Sequence, residues 1–323
     1  MKNAKRLIAL ALLLALSLII SACGAKKSTG APHKVYFIAK STETEFWQAA
    51  FAGANAAKSE YNLDLTICGP ETEEDYQSQN EYIRQAVDSG AQAIVFSAIS
   101  YTDNAAAIDA AVAAGVKVAV IDSDVASPGV SVRIGTDNVE AGRMAAAAAL
   151  DTDLSELVVG IVNYDTGSKN GQEREAGFRE VAQTDPRVKE IYTINVLTTQ
   201  EEAKAGTMRL LREHPEINVV LGLNEPLAVG VSMAVSELGL AGRMRAVVFD
   251  TNVRCIDLLQ SGAVTALIVQ NPYAMGYLGV ETACKLLDGA VYDSAELMDT
   301  ATTIVTRETM FTIENQKALF PFG

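Results

Sequence analysis

The chain has 323 residues, of which 49% are apolar and 20% charged, and its formal net charge is −14. This length and composition predict a globular protein with one large or two medium-sized domains. The acidic balance repels polyanions, so we expect no nucleic-acid partner. The low aromatic share of 6% and the abundance of alanine favour helices packed on sheets over an all-β sandwich.

The first 22 residues have the pattern of a secretion signal. Lys2, Lys5 and Arg6 precede an apolar run at residues 7–20. This run has about the length of a signal-peptide core and is short for a membrane-spanning helix. We therefore exclude residues 1–22 from the predicted fold.

The four residues from Ile20 to Cys23 (Ile-Ser-Ala-Cys) resemble the lipobox of bacterial lipoproteins. This resemblance implies that Cys23 becomes the lipidated first residue of a mature chain held at the outer face of the cell membrane. The alternative is an ordinary secretory signal in which Cys23 has no role. Residues 24–33 are small and polar, which predicts a flexible tether. Three further cysteines show no spacing typical of a disulfide framework or a zinc site: Cys68, Cys255 and Cys284.

Eight short apolar runs predict strands that are buried on both faces. They are residues 35–39, 63–67, 94–98, 116–121, 158–162, 217–223, 246–249 and 266–270. Helical patterns, with apolar residues spaced by three and four, lie between them. This alternation predicts parallel sheets covered by helices on both faces.

Thr42 and Glu45 are three residues apart, which predicts a capping box at the start of the first helix. Phe46 and the only tryptophan, Trp47, would then lie in the first helical turn after the first strand. Ligands of open parallel sheets bind beyond the carboxyl ends of the strands. The two aromatic residues are therefore predicted to lie at the edge of a ligand cleft.

The two halves of the chain also resemble each other. A strand, a helix ending at Gly115 and a strand ending in Asp122 are matched by a strand, a helix ending near Gly239 and a strand ending in Asp250. Asp122 and Asp250 would occupy equivalent strand ends in two similar lobes. If the lobes face each other, both carboxylates lie in one cleft.

Seven segments in order resemble the periplasmic sugar-binding proteins of the ribose and galactose type, the type I solute-binding proteins of ABC transporters. They are KSTETEFWQAAFAGA, VAVIDSD, IGTDNVEAGRMAA, QEREAGF, LGLNEPLAVG, VVFDTN and VQNPYAMGYLGVE, and the likeness extends from residue 34 to about residue 315. It implies two doubly wound, Rossmann-like α/β lobes joined by three crossover hinge strands, which close on a ligand. The N-lobe would comprise residues 34–136 and 271–293, and the C-lobe residues 137–270 and 294–323.

The resemblance also implies ligand contacts. Phe46 and Trp47 match an aromatic pair that stacks on the sugar ring, and a role in the core is the alternative for both. Asp122 and Asp250 match aspartates that accept hydrogen bonds from sugar hydroxyls. Their alternative role is to cap the segment that follows.

Arg174 matches an arginine that donates to sugar oxygens, and a surface salt bridge is its alternative role. Asn224 and Gln270 match amides that both donate and accept hydrogen bonds. Asn224 could instead stabilise the turn before Pro226. Weaker candidates for ligand contact are Thr44, Gln79 and Asn80.

Several residues depart from the ribose-binding pattern. Ser123 stands where ribose binders have an arginine, and Thr198 falls near a family phenylalanine. Lys40 and Glu43 add charge to the first loop. These differences predict a ligand other than ribose, with Lys40 and Ser123 as further candidate contacts. Lys40 could bind an anionic group of the ligand, or it could pair with Glu43 or Asp122.

The sequence argues against an enzyme. His33 and His214 are the only histidines, so a nucleophilic triad has little material. The remote alternative is a glycoside-processing enzyme that uses Asp122 and Asp250 as its two carboxylates. We expect a monomer without cofactor or metal that delivers its solute to an ABC transporter permease. The other open role is that of a sensor, whose closed form is recognised by a membrane receptor or sensor kinase.

Overall fold

The computed structural model describes residues 31–164 and 166–320. The predicted signal peptide and Cys23 lie outside the described residues. Within the compact unit that begins at His33, two six-stranded sheets form two lobes. This architecture confirms the predicted fold class.

The N-lobe is built on strands that are all parallel, in the order β11-β5-β4-β3-β1-β2. The strands are β1 (Lys34–Ile38), β2 (Asp64–Cys68), β3 (Ala93–Phe96), β4 (Lys117–Ile121), β5 (Val132–Gly135) and β11 (Leu297–Asp299). Its helices are α1 (Glu45–Tyr61), α2 (Tyr76–Asp88), α3 (Ala105–Ala113) and α9 (Pro272–Leu287).

The C-lobe repeats this arrangement in the order β12-β10-β9-β8-β6-β7, and only β12 is antiparallel. The strands are β6 (Leu157–Asn163), β7 (Val188–Asn195), β8 (Val219–Gly222), β9 (Arg245–Phe249), β10 (Ala266–Val269) and β12 (Thr303–Thr306). Its helices are α4 (Asn138–Leu150), α5 (Lys169–Ala182), α6 (Gln200–Glu213), α7 (Glu225–Glu237), α8 (Val253–Ser261) and α10 (Ile313–Leu319).

The chain passes between the lobes three times, at residues 136–137, 270–271 and 300–302. The third passage differs from the expected boundary at residue 294. Leu297, Met298 and Asp299 pair in parallel with Arg133, Ile134 and Gly135, so β11 belongs to the N-lobe sheet. The short strand is half-exposed and therefore has no apolar run that would reveal it in the sequence.

Helix α1 begins at Glu45, and its N-cap is Thr44 rather than the expected Thr42. The Thr44 hydroxyl accepts a hydrogen bond from the backbone N–H of Trp47 at 3.4 Å. The Thr42 hydroxyl instead donates to Glu43 at 3.2 Å. The prediction that Phe46 and Trp47 lie in the first turn is confirmed.

Close helix pairs in each lobe depend on glycine. In the C-lobe, a Cβ added at Gly142 of α4 would overlap the backbone oxygen of Arg174 on α5, and one at Gly177 would overlap that of Val139. In the N-lobe, Gly53 and Gly276 bring α1 and α9 equally close. Gly142 of α4 and Gly177 of α5 therefore allow the close packing that positions the helix carrying Arg174. Among the described residues, no helix is both long and apolar enough to cross a membrane.

Candidate ligand-binding site

A cavity lies between the lobes, at the carboxyl ends of the strands, and its free volume in this closed arrangement is about 20 Å³. We call it the polar cavity. Its N-lobe walls are Lys40, Thr44, Phe46, Glu73 and Asp122, and its C-lobe walls are Tyr164, Asn170, Arg174, Asn224, Glu225, Pro226, Asp250 and Gln270. This volume is little more than one water molecule needs, so the walls must move apart to admit a ligand.

Asp122 directly follows β4 and reaches across the cavity. One carboxylate oxygen accepts from the Ser97 hydroxyl at 3.0 Å, and the other accepts from the Asn170 amide of the C-lobe at 3.2 Å. Burial raises the pKa of Asp122, while the positive charges of Lys40 and Arg174 oppose the increase. The carboxylate therefore depends on partners from both lobes.

Asp250 directly follows β9 and is tied to the hinge. Its carboxylate accepts from the Gln270 amide at 2.5 Å, and the Gln270 oxygen accepts from the Thr136 hydroxyl at 2.8 Å. Burial raises the pKa of Asp250 to about 7, although Arg174 and the bond from Gln270 oppose the change. Asp250 thus titrates near neutral pH in the closed, ligand-free arrangement.

Two hydrogen-bond donors on the cavity wall are unused. Arg174 is buried, donates from Nε to Asn138 at 2.9 Å and from Nη1 to the Leu223 carbonyl at 2.7 Å. Its Nη2 has no partner within residues 31–164 and 166–320. Asn224 caps α7 with its side-chain oxygen, which accepts from Leu227, and its Nδ2 is likewise unpartnered in this part of the chain. Buried donors without partners are rare, so they indicate where a ligand oxygen would bind.

Lys40 is buried in the polar cavity and forms an ion pair that was not among the expected ones. Its Nζ lies 3.0 Å from the Glu73 carboxylate and 3.2 Å from the Ser168 hydroxyl of the C-lobe. Burial lowers the pKa of Lys40, but the negative charges of Glu73 and Asp122 more than offset this effect and leave it above the usual value. The paired Lys40 is therefore not a free anion-binding group.

Trp47 faces the core rather than the polar cavity. It is 1% exposed, packs edge-on against Phe46 and lies among the buried apolar residues of the N-lobe. Its indole N–H donates to Glu73 at 3.0 Å. The structure therefore does not place Trp47 where the expected stacking would need it: neighbours cover its ring, and Phe46 is the member of the pair that lines the cavity.

Three weaker candidates also lie off the cavity wall, whereas Thr44 lines it. The Gln79 amide donates to the carbonyls of Ala39 and Ser97 at 2.9 and 2.7 Å, which stabilises the ends of β1 and β3. Asn80 bonds with residues at the start of α3, outside the cleft. Ser123 is fully buried behind Asp122. Their polar atoms are used in, or enclosed by, the N-lobe itself, which corrects the expected ligand contacts.

Sequence reasoning missed four polar residues of the cavity: Glu73, Tyr164, Asn170 and Glu225. Tyr164 follows β6 directly, so the rule that found Asp122 and Asp250 could have found it. Glu225 could have been found by its position directly after Asn224, which was predicted as a strand-end residue. Glu73 lies in the loop after β2, and Asn170 lies one residue inside α5. Neither position has a sequence pattern that points into the cleft.

The lobes also meet around the rim of the polar cavity. Lys169 of the C-lobe lies 3.0 Å from Asp124 of the N-lobe. The backbone N–H of Tyr101 donates to the Gly167 carbonyl at 2.8 Å, and that of Thr198 donates to Glu74 at 2.5 Å. The structure is therefore that of a closed form. In the described ranges, no group of three or more metal-ligating side chains is found.

Two doubly wound lobes that close over a polar cavity define a bilobal solute-binding protein. Residues 35–290 match the family model described as "Periplasmic binding protein domain", and the chain belongs to this family. The match covers most of the chain, so it extends across both lobes.

Curated relatives resemble the chain over nearly its whole length. It is 26% identical to the D-ribose/D-allose-binding protein of Pseudomonas aeruginosa, over 94% of this chain and 98% of that protein. It is 25% identical to a ribose import binding protein of Bacillus subtilis, over 87% of this chain and 93% of that protein. Both relatives are named as sugar-binding proteins, and the second as an import binding protein.

Solved structures of solute-binding proteins also resemble the chain over most of its length. A carbohydrate transporter solute-binding protein from Agrobacterium radiobacter, in complex with D-arabinose, is 27% identical and superposes with a TM-score of 0.86, covering 90% of this chain and 100% of that one. An ABC transporter solute-binding protein from Agrobacterium vitis with bound D-fucose is 26% identical, with a TM-score of 0.85, and covers 88% and 99%.

Proposed function

We propose that this protein is an extracytoplasmic lipoprotein that captures a small sugar or sugar-like solute between its lobes and delivers it to an ABC transporter permease. The observation that carries the proposal is the composition of the polar cavity. Two carboxylates that can accept, Asp122 and Asp250, share the walls of this cavity with two unused donors, Arg174 and Asn224. A ring bearing several hydroxyl groups supplies donors and acceptors together.

Each wall residue has a definite task in this proposal. Asp122 and Asp250 accept hydrogen bonds from ligand hydroxyls, and Arg174 and Asn224 donate to ligand oxygens. Gln270 orients Asp250, since its amide already donates to that carboxylate. The Phe46 ring offers an apolar face to the C–H groups of a sugar ring, while Trp47 supports it from behind.

Closure follows from the distribution of these contacts. Phe46 and Asp122 belong to the N-lobe, whereas Arg174, Asn224 and Asp250 belong to the C-lobe. A ligand held by both groups binds the closed form better than the open one, so it shifts the population toward closure. The closed form then presents one face of each lobe to the permease.

The charges of the cavity favour a neutral ligand. The walls carry the carboxylates of Glu73, Asp122, Glu225 and Asp250 but only two cations, Lys40 and Arg174. Because Lys40 is already paired with Glu73, Arg174 is the one cation left on the walls, beside three further acidic side chains, so the charge balance disfavours a sugar acid. We therefore propose a neutral monosaccharide or polyol as the solute class.

Attachment to the membrane is the second part of the proposal. Cys23, at the end of the lipobox-like motif, would carry the lipid, and residues 24–33 would separate the lobes from the membrane surface. The B. subtilis relative is an import binding protein, which supports delivery to a permease. ATP-driven transport would belong to that partner, so this chain needs no cofactor.

The experiment is a ligand screen of residues 24–323 by melting temperature, calorimetry and Trp47 fluorescence. The panel contains D-ribose, D-allose, D-arabinose and D-fucose, with polyols, sugar acids and amines. We expect a neutral member to raise the melting temperature, and Asp250→Asn to lose most of that increase. The control Asp153→Asn alters an exposed carboxylate outside the cavity and should behave as the wild type. Stabilisation by none of the sugars and polyols would overturn the proposal.

A further inference from the structure

Glu225 connects the C-lobe to the first helix of the N-lobe. Its two carboxylate oxygens accept hydrogen bonds from the backbone N–H groups of Glu45, at 3.3 Å, and Phe46, at 2.8 Å. These are the first two residues of α1, and the first N–H groups of a helix have no partner within the helix. A side chain of the opposite lobe thus completes the start of α1.

The C-lobe holds Glu225 in place for this contact. The residue is the first of α7 and is only 5% exposed. The oxygen that accepts from Glu45 also accepts from the Asn252 amide at 3.0 Å, and Asn252 in turn caps α8 through Cys255. A carboxylate that is fixed before the lobes meet loses little side-chain freedom on closure.

The surroundings stabilise negative charge at this point. Glu225 lies at the N-terminus of α7, next to the cap of α8 and against the N-terminus of α1, and helix N-termini favour anions. Burial raises the pKa of Glu225, whereas the bonds from Asn252, Phe46 and Glu45 oppose the increase. Taking α1 away would remove two of these compensating donors.

We propose that Glu225 is a positioning residue, which caps α1 only when the lobes close and thereby fixes Phe46 against the bound ligand. This inference rests on the proposed function, because it assigns to closure a contact that involves no ligand atom. The Phe46 backbone is held by Glu225 while its ring lines the polar cavity. Stacking of the ligand on Phe46 and docking of the lobes are therefore coupled through one residue.

This contact differs from the ion pair at the rim. Lys169 is 34% exposed and its pair with Asp124 is accessible to solvent, so salt screens it. Glu225 is enclosed, and its partners are neutral N–H groups rather than a mobile cation. We expect the contribution of Glu225 to persist at high salt, where that of Lys169 fades.

The test compares Glu225→Gln and Glu225→Ala with Lys169→Met, using D-ribose or the panel sugar that binds most tightly. Kinetics of sugar binding and hydrogen exchange at the Glu45 and Phe46 amides are measured. We expect Glu225→Ala to raise the dissociation rate about tenfold, the change that corresponds to losing a hydrogen bond to a charged group. The association rate should stay near the wild-type value.

Glu225→Gln keeps one acceptor oxygen and should fall between the wild type and Glu225→Ala. Sugar-dependent protection of the Glu45 and Phe46 amides should be lost in Glu225→Ala and kept in Lys169→Met, an outcome that a general loss of stability would not produce. An unchanged dissociation rate and unchanged protection in Glu225→Ala would overturn the inference and leave the proposed function standing.

If no sugar binds the wild type, the proposed function fails by itself. The inference is then decided in the ligand-free protein, where Glu225→Ala should exchange faster than the wild type at these two amides. Equal exchange rates would overturn it.

Discussion

Asp122 and Asp250 occupy the same position in the two lobes and share an unusual backbone. Each follows a central strand directly, and their φ angles are +54° and +70°. Each backbone N–H donates to the neighbouring strand, to Ile134 at 3.0 Å and to Ile268 at 2.9 Å. Few residues with a side chain tolerate this left-handed conformation, and aspartate and asparagine are the main exceptions.

The left-handed backbone at Asp250 allows an effect on ligand affinity to be distinguished from an effect on folding stability. Asp250→Asn keeps the tolerated conformation and should fold normally, but its neutral amide should bind the sugar at least about tenfold more weakly. Asp250→Ala should lose affinity as well and also about 1 kcal/mol of stability, because alanine is strained at positive φ. Calorimetry and urea unfolding of both variants test this. Wild-type affinity in Asp250→Asn would contradict it.

The titration of Asp250 predicts how stability depends on pH. Its pKa in the folded protein, about 7, is above the ordinary aspartate value of 3.8. The associated stability is therefore full below pH 4 and is lost as the pH rises toward 7. Between pH 5 and pH 8 the ligand-free wild type should lose roughly 2 to 3 kcal/mol relative to Asp250→Asn. Urea unfolding of both proteins across this range measures the difference, and parallel pH profiles would refute the assignment.

Removing one partner of the buried Lys40–Glu73 pair should lower the free energy of unfolding more than removing both partners. Glu73→Gln leaves the Lys40 ammonium buried without its carboxylate and should cost about 3 kcal/mol. The double variant Lys40→Met/Glu73→Gln removes the stranded charge and should recover most of that loss. Unfolding free energies of the single and double variants form the test. Additive losses would show that the pair is not coupled.

Gly142 is predicted to affect the ligand site through packing alone. A methyl group there meets the backbone of Arg174, so Gly142→Ala should push α5 outward and cost about 1 to 3 kcal/mol. Because Arg174 moves with α5, sugar affinity should fall too. Gly90→Ala is a poor control, since Gly90 has positive φ. Ala148→Gly, elsewhere on α4, changes the same helix without the overlap and should leave affinity unchanged.

The fold was predictable from the sequence where strands are buried on both faces. All eight predicted strands exist, and seven of them are largely buried, as their continuous apolar runs indicate; β2 lies at a sheet edge and is only partly buried. Four other strands were not predicted. Strand β7 (Val188–Asn195) lies at a sheet edge with charged, exposed residues, and β11 and β12 are only three and four residues long. Their positions depend on partners far away in the chain, which local patterns do not reveal.

The strand pattern predicted the strand-end residues of the site, whereas Arg174 was expected only from the family resemblance. Asp122, Asn224, Asp250 and Gln270 line the polar cavity because the end of a parallel strand has a fixed place in the fold. Side-chain direction was harder to infer. Phe46 and Trp47 are adjacent in one helical turn and point to different surroundings, and the partner of Lys40 comes from another loop. Such choices depend on the approach of separate segments rather than on spacing.

The hydrogen bonds at the hinge have a direction. Thr302 donates toward Thr136 at 3.5 Å, Thr136 donates to the Gln270 oxygen, and Gln270 donates to Asp250, so each of the three crossovers contributes one link. This series of hydrogen bonds ends at the Asp250 carboxylate, which would also accept a hydrogen bond from the ligand. The bond from Thr136 at the hinge thus sets the orientation of the Gln270 amide, and this orientation determines which Gln270 atom faces Asp250 in the cleft. In Thr136→Val the Gln270 amide could exchange the positions of its oxygen and nitrogen. Its oxygen, which can only accept, would then face a protonated Asp250 instead of an ionised one.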